Sequence, residues 1–174
     1  EAEVEYHDRK VPVIWVKFGI PSRGDGAELV IWTTTPWTIP ANQAVSYSTD
    51  ISYGLYEVET VMSEEDLGFP PYAATGDKLI LADKLAKDVL DAAKVTGFKR
   101  VEDVDPATLG SLTHPLAGVD AFFQHEVPLL AGDHVTDDAG TGFVHTAPAH
   151  GEDDFNVWIA SGRKASDIRD IVNP

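Results

Sequence analysis

An apolar run that ends in hydroxyl side chains, Glu28-Leu-Val-Ile-Trp-Thr-Thr-Thr-Pro-Trp-Thr38, lies in the first quarter of the chain. Its apolar part, residues 28–32, is typical of a short buried strand. Proline interrupts the pattern after three consecutive threonines, so the strand is predicted to break there. The break places Thr33, Thr34 and Thr35 at a strand end, where hydroxyl donors and acceptors are useful to a functional site.

These threonines also have a purely structural explanation. Threonine is a favoured strand residue, and threonines before a proline often satisfy only local backbone groups. No general base is adjacent in sequence, so the hydroxyls are not expected to act as strong nucleophiles. Binding a ligand and positioning water are the functions that the pattern favours.

The remaining chain predicts a sheet-rich domain. Strands are predicted at Val11–Phe18, Ala44–Ser48, Ser52–Val58, Lys78–Ala82, Phe98–Val104, Glu126–Leu130 and Gly142–Thr146. One scaffold helix is predicted to begin with Asp83 as its N-cap and to reach about Val95. A second is predicted from Gly151 to Ser161. The predicted fold class is α+β, a β-rich, barrel-like domain with a few peripheral helices.

Composition limits the possible functions. With 174 residues, 43% apolar and 24% charged, the chain fits one soluble domain. It has no cysteine, which excludes disulfides and thiolate catalysis and suits a cytoplasmic protein. Its formal net charge of −16 argues against an autonomous nucleic-acid binder. A nucleic acid could still be a substrate if another part of a larger protein held it.

The richest chemistry lies in Gly140-Thr-Gly-Phe-Val-His-Thr-Ala-Pro-Ala-His-Gly-Glu-Asp-Asp154. The carboxylates of Asp153 and Asp154 fall in the first turn of the final helix, where they could simply complement the helix dipole. His145 could equally be a satisfied core histidine. The His and acidic residues invite a metal, but their spacing fits no standard zinc pattern, so no metal is predicted.

Together the two stretches resemble the signature segments of the connective-peptide 1 editing domain of isoleucyl-tRNA synthetases, in the class I family. Thr113-His-Pro115 and Gly132-Asp-His-Val135 are similar to that family as well. The resemblance extends from about Val11 to Ile159 and is weakest at Ser63–Thr75. The sibling valyl and leucyl enzymes carry an arginine in the first motif that is missing here, which favours the isoleucyl branch.

The resemblance implies hydrolysis of valine misattached to the isoleucine tRNA, and a contribution to clearing valyl-adenylate, by water and without a covalent intermediate. It implies that Asp154 anchors the α-ammonium group and that His145 lies beside the amino-acid side chain. The expected catalytic residues are Thr34, Thr35, His145 and Asp154, and the expected substrate-binding residues are Trp32, Thr33, Thr38 and Asn42. No cofactor is expected. The expected partners are the tRNA 3′ end and the remaining domains of the same synthetase, around a monomer with no membrane contact.

The chain lacks the His-Ile-Gly-His and Lys-Met-Ser-Lys-Ser signatures of adenylate formation, so it is not expected to charge tRNA. Residues 1–174 are expected to form one domain inserted in a larger chain, with linker-like ends that lie near each other. Three alternatives remain open: an editing hydrolase of another specificity, such as a valyl or leucyl sibling, a non-catalytic tRNA-associated module, and a metallohydrolase.

Overall fold

The 28–33 run forms a strand within the larger of two sheets. The computed structural model describes residues 12–169, and the predicted linker-like ends, including Val11 of the first predicted strand, lie outside them. The strands are β1 (Ile14–Gly19), β2 (Glu28–Thr33), β3 (Ala44–Tyr47), β4 (Tyr53–Val61), β5 (Lys78–Ala82), β6 (Val95–Val104), β7 (Leu112–Thr113), β8 (Glu126–Val127), β9 (Leu129–Ala131) and β10 (Phe143–Thr146). The α-helices are α1 (Glu64–Leu67), α2 (Ala86–Ala92) and α3 (Glu152–Ala160), and the 3₁₀ turns include Pro36–Ala41.

The strands form one sheet of seven, in the order β6-β4-β5-β2-β1-β7-β8, and one of three, in the order β10-β3-β9. β2 pairs antiparallel with β1 and parallel with β5. The predicted sheet-rich α+β fold with few helices is confirmed. Its barrel-like character does not extend to closure, because the larger sheet ends at β6 and β8. No helix within residues 12–169 has the length and apolar character needed to cross a membrane.

β2 is buried on both faces, which explains its nearly continuous apolar sequence. Leu29 and Ile31 belong to a core cluster that takes side chains from both sheets, including Val45 of β3 and Phe143 of β10. Val30 points the other way, into a second cluster with residues of α2. The core therefore reaches the end of β2 from both sides and holds the following threonines in place.

The helix after β5 is shorter than predicted, and Asp83 does not cap it. The Asp83 carboxylate instead accepts hydrogen bonds from the Arg100 guanidinium, with Nε–Oδ1 2.9 Å, and from the Tyr56 hydroxyl at 2.6 Å. The helix ends at Ala92, and Lys94 adopts a left-handed φ of 68° that turns the chain into β6. Residues near Val95, predicted as helix, are consequently the start of a strand.

Gly142, just before β10, packs directly against Ala82 of β5 and Tyr53 of β4 in the larger sheet. A Cβ atom at this position would lie 2.3 Å from the Ala82 Cβ and 3.2 Å from the Tyr53 ring, and its φ is +84°. The backbone N–H of Ala82 also donates to the Thr141 carbonyl, at 2.9 Å. Only glycine meets both the steric and the backbone requirement here.

We expect Gly142→Ala to lower the free energy of unfolding by about 2–6 kcal/mol, because overpacking and a left-handed alanine each cost about 1–3 kcal/mol. Gly76→Ala is the matched control, since Gly76 also has a positive φ, of +94°, but its Cβ would meet no atom within 4 Å. Urea unfolding at neutral pH measures both. Equal losses in the two variants would show that close packing at Gly142 contributes nothing.

Candidate functional site

A cavity of about 650 Å³ lies where β2 ends beside β10 and the start of α3. Both quoted stretches line it, although more than a hundred residues separate them. Seven of the eight predicted site residues are among the lining residues, and Asn42 is the exception. The lining residues are Trp32, Thr33, Thr34, Thr35, Trp37, Thr38, His134, Thr136, Ala139, Gly140, Phe143, Val144, His145, Ala147, His150 and Asp154.

The threonine hydroxyls hold the turn that follows β2. Thr33 Oγ1 accepts a hydrogen bond from the Thr35 N–H at 3.1 Å, and Thr38 Oγ1 donates to the Thr35 carbonyl at 2.8 Å. The Thr33 and Thr35 hydroxyls lie 3.2 Å apart. Thr34 is exposed, and its hydroxyl makes no hydrogen bond within the described residues. The structural and the functional explanations therefore apply to different members of the same run.

His145 is buried in the cavity wall, with only 8% of its surface exposed. Its Nε2 lies 3.0 Å from Thr38 Oγ1, and its Nδ1 lies 2.7 Å from Asn42 Nδ2. Burial lowers the pKa of the imidazole to about 4, so the ring is neutral near pH 7. Because both nitrogens already have partners, the ring forms a wall of fixed position and offers no free nitrogen to a water molecule.

Asp154 lies in the first turn of α3, yet it does not cap that helix. Its Oδ2 accepts a hydrogen bond from the Ala147 N–H, at 2.8 Å, and so ties the end of β10 to α3. Its Oδ1 has no hydrogen bond among residues 12–169, and the side chain lines the cavity. Burial raises the pKa of this carboxyl above its usual value. A cationic ligand group would relieve that unfavourable burial of charge.

The structure adds residues to the site that were not predicted as site residues. Trp37, 63% exposed, lines the cavity, as do His134 and His150. The Nε2 atom of His134 is buried with no hydrogen-bond partner in the described part of the chain. All three lie in segments singled out by sequence, so their position in the motifs was the available signal. No group of three His, Asp or Glu residues within 12–169 could hold a metal ion.

This arrangement suits binding better than nucleophilic attack. The hydroxyls of Thr33 and Thr38 already have hydrogen-bond partners inside the turn, and the buried imidazole of His145 is neutral and hydrogen-bonded through both nitrogens. A carboxylate with a free oxygen, a neutral apolar wall and an exposed hydroxyl on Thr34 remain available to a ligand. The cavity can thus hold an ammonium group, contact an aliphatic side chain and position water.

Comparison with known proteins gives a consistent picture, although no family model matches the chain. It is 58% identical over 177 residues to the isoleucine–tRNA ligase of Caulobacter vibrioides, covering 100% of this chain and 18% of that protein. It is 52% identical over 168 residues to the isoleucine–tRNA ligase of Agrobacterium fabrum, covering 94% of this chain and 16% of that protein. The chain thus spans less than a fifth of these relatives' length.

A solved structure described as "The crystal structure of GlLeuRS-CP1" has the same fold. It superimposes with a TM-score of 0.62 and covers 90% of this chain and 61% of that one. The sequence identity is 14%, so the likeness concerns the fold alone.

The burial of His145 predicts a pH-dependent stability. Its pKa is about 4 in the folded chain and about 6.5 when exposed, so the unfolded chain binds more protons between these values. The contribution of His145 to the free energy of unfolding is therefore fully present above pH 7. It is lost as the pH falls through this window, by about 2 kcal/mol between pH 7 and pH 5. Urea unfolding of the wild type and His145→Gln at both pH values should show a correspondingly smaller loss in the variant. Equal losses would mean that His145 charges freely in the folded protein.

Proposed function

We propose a proofreading function for this chain, starting from the fact that it belongs to the isoleucine–tRNA ligase family as a segment of domain size. The predicted resemblance to the editing domain of that family is thereby confirmed. The proposed reaction is hydrolysis of the ester that joins valine to the isoleucine tRNA. The observation that supports it best is a single cavity with the carboxylate of Asp154 and the neutral, buried wall of His145.

Such a reaction answers a physical limit on recognition. One methylene group in an apolar pocket is worth only about 1–3 kcal/mol, a limit for which isoleucine against valine is the standard example. A second site that admits the smaller product corrects the error. The proposed site needs a rigid wall to exclude the larger side chain. The His145 ring provides that wall, because both of its nitrogens are hydrogen-bonded.

Asp154 is proposed to hold the α-ammonium group of the misattached amino acid. The positive end of the α3 dipole would repel an ammonium group, so a full carboxylate charge is needed nearby. Oδ2 is held by the Ala147 N–H, which orients the carboxylate, and Oδ1 remains for the ligand. An ordered, half-buried carboxylate also gives a stronger charge-assisted hydrogen bond than an exposed one.

Water is the proposed nucleophile. The site presents no Ser, Cys or Thr hydroxyl paired with a free base, which a covalent mechanism would require. An aminoacyl ester is activated, so a positioned water, assisted by the neighbouring ribose hydroxyl of the substrate, is sufficient. Thr34 and Thr35 are proposed to orient that water and the ester, because both exposed side chains line the cavity. The Thr34 hydroxyl is available to the ligand, and the Thr35 hydroxyl lies 3.2 Å from that of Thr33.

The tRNA is proposed to be held largely by the rest of the ligase. A net charge of −16 makes this segment a poor surface for a polyanion on its own. The proposed contact is confined to the 3′ end that carries the amino acid. The signatures of adenylate formation are missing from the sequence, so charging is assigned to other parts of such a protein.

The size filter predicts a specific pattern of hydrolysis. At high protein concentration the wild-type chain should deacylate valyl-tRNA specific for isoleucine and spare the isoleucyl ester. His145→Ala should cleave both esters, because it removes the wall that contacts the larger side chain. Release of each labelled amino acid, measured side by side over time, gives the ratio of rates.

The same panel separates the alternatives. Cleavage of only a leucine-tRNA or valine-tRNA ester would assign the site to a sibling specificity. Binding of a non-hydrolysable valyl-adenosine analogue without turnover of any ester would favour a non-catalytic module. Loss of activity with a chelator would favour a metallohydrolase. Unchanged discrimination in His145→Ala would remove this residue from the filter.

The charge of Asp154 is expected to be essential. Asp154→Asn retains an acceptor for the Ala147 N–H but loses the charge, so hydrolysis should fall at least about 30-fold, as removal of a buried charge partner costs about 2–5 kcal/mol. Asp153→Asn is the matched control, because Asp153 is exposed in the same helical turn. Deacylation rates and urea unfolding are measured for both. Equal rate losses would indicate that only the general charge of this turn matters.

A further inference from the structure

Asn42 lies directly behind His145 and has no exposed surface. It does not line the cavity, although the family resemblance implies a contact with the substrate. A fully buried side chain cannot touch a ligand that occupies that cavity. Its effect on the site must therefore pass through a neighbour, and His145, 2.7 Å away, is the neighbour that lines the cavity.

The orientation of the Asn42 amide follows from its neighbours. Its Nδ2 lies 2.8 Å from the Ala44 carbonyl oxygen, and a carbonyl oxygen can only accept a hydrogen bond. The flipped amide would place Oδ1 against that oxygen, which is repulsive. The NH₂ group therefore faces Ala44, even though this leaves Oδ1 buried without a partner among the described residues. The second Nδ2 hydrogen then points at His145 Nδ1.

This orientation determines the tautomer of His145. Because Nδ1 receives a hydrogen from Asn42, it must be the unprotonated nitrogen, and the ring proton lies on Nε2. Nε2–H donates to Thr38 Oγ1 at 3.0 Å, and the Thr38 hydroxyl donates to the Thr35 carbonyl at 2.8 Å. Each hydrogen bond in this series runs in the same direction, from Asn42 to the turn that lines the cavity.

The backbone of Asn42 is held by the same logic. His125 Nε2 lies 3.1 Å from the Asn42 carbonyl oxygen, and a carbonyl oxygen can only accept, so Nε2–H donates to it. The Asn42 N–H donates to the Ile39 carbonyl at 3.0 Å. Both the main chain and the side chain of Asn42 are thus fixed before any ligand enters.

We propose that Asn42 is a positioning residue for the size filter, which sets the Nε2–H tautomer and the ring orientation of His145. Its consequence for discrimination rests on the proposed editing function, whereas the tautomer does not. A ring with a free choice of tautomer could tilt and release Thr38, so the wall would move. Discrimination between the two amino acids thereby depends on Asn42, although Asn42 does not contact the substrate.

The tautomer can be measured directly in the folded chain. With [¹⁵N]histidine labelling, two-bond ¹H–¹⁵N correlations identify the protonated ring nitrogen, and His145→Gln assigns the His145 signals. We expect the wild type to show Nε2–H near neutral pH. Asn42→Asp, whose carboxylate can only accept, should move the proton to Nδ1. A wild-type ring protonated at Nδ1 would overturn the proposal, and this result does not depend on any Asn42 variant folding.

Discrimination is the second readout. Asn42→Ala removes the donor and should give a mixture of tautomers, with hydrolysis of the isoleucyl ester rising about tenfold or more relative to the valyl ester, in line with the usual effect of losing a partner that orients a histidine. Ser46→Ala is the matched control. It removes a buried hydrogen bond of 2.8 Å to Thr146, next to His145, without contacting the ring.

We expect Ser46→Ala to lower stability but to keep both the Nε2–H tautomer and the wild-type ratio of rates. An Asn42→Ala protein with a pure Nε2–H ring and an unchanged ratio would refute the positioning role. If the wild type hydrolyses neither ester, the editing function fails while the tautomer result still decides what Asn42 does to His145.

Discussion

The position of β10 is the constraint on which the site depends. β10 pairs with β3, with His145 opposite Val45, and its first residues lie against β5 through Gly142. This double contact leaves β10 no freedom to slide, because a shift of one residue would turn His145 to the other face of the strand. The His145 ring consequently lies against the turn after β2, where it is hydrogen-bonded to Thr38.

The pKa values of Asp154 and His145 shift in opposite directions on burial. Loss of solvent raises the pKa of Asp154 and lowers that of His145, so it disfavours the charged form of each. The imidazole has a neutral form that still makes two hydrogen bonds, and it remains uncharged. The same burial disfavours the charged form of the Asp154 carboxyl, and a bound cation would compensate that charge.

Much of the secondary structure could be predicted from local sequence. The apolar run before Pro36, the β-rich segments and the final helix follow from composition over a few residues, and so does the end of β2. The start of α2 could not be predicted, because the Asp83 carboxylate binds Arg100, seventeen residues away, instead of capping the helix. Open sheet edges likewise depend on strand order, which local patterns do not encode.

The residues of the site also differ in how far the sequence predicts them. Thr34, His145 and Asp154 lie in short motifs that indicate a function, although the sequence also allowed a merely structural role for each. Asn42 is different, because its effect requires a residue 103 positions away to approach within 2.7 Å. The sequence does not reveal how the amide of Asn42 is oriented. In the folded chain the Ala44 carbonyl fixes the orientation of that amide, and the amide in turn determines which nitrogen of His145 carries the proton.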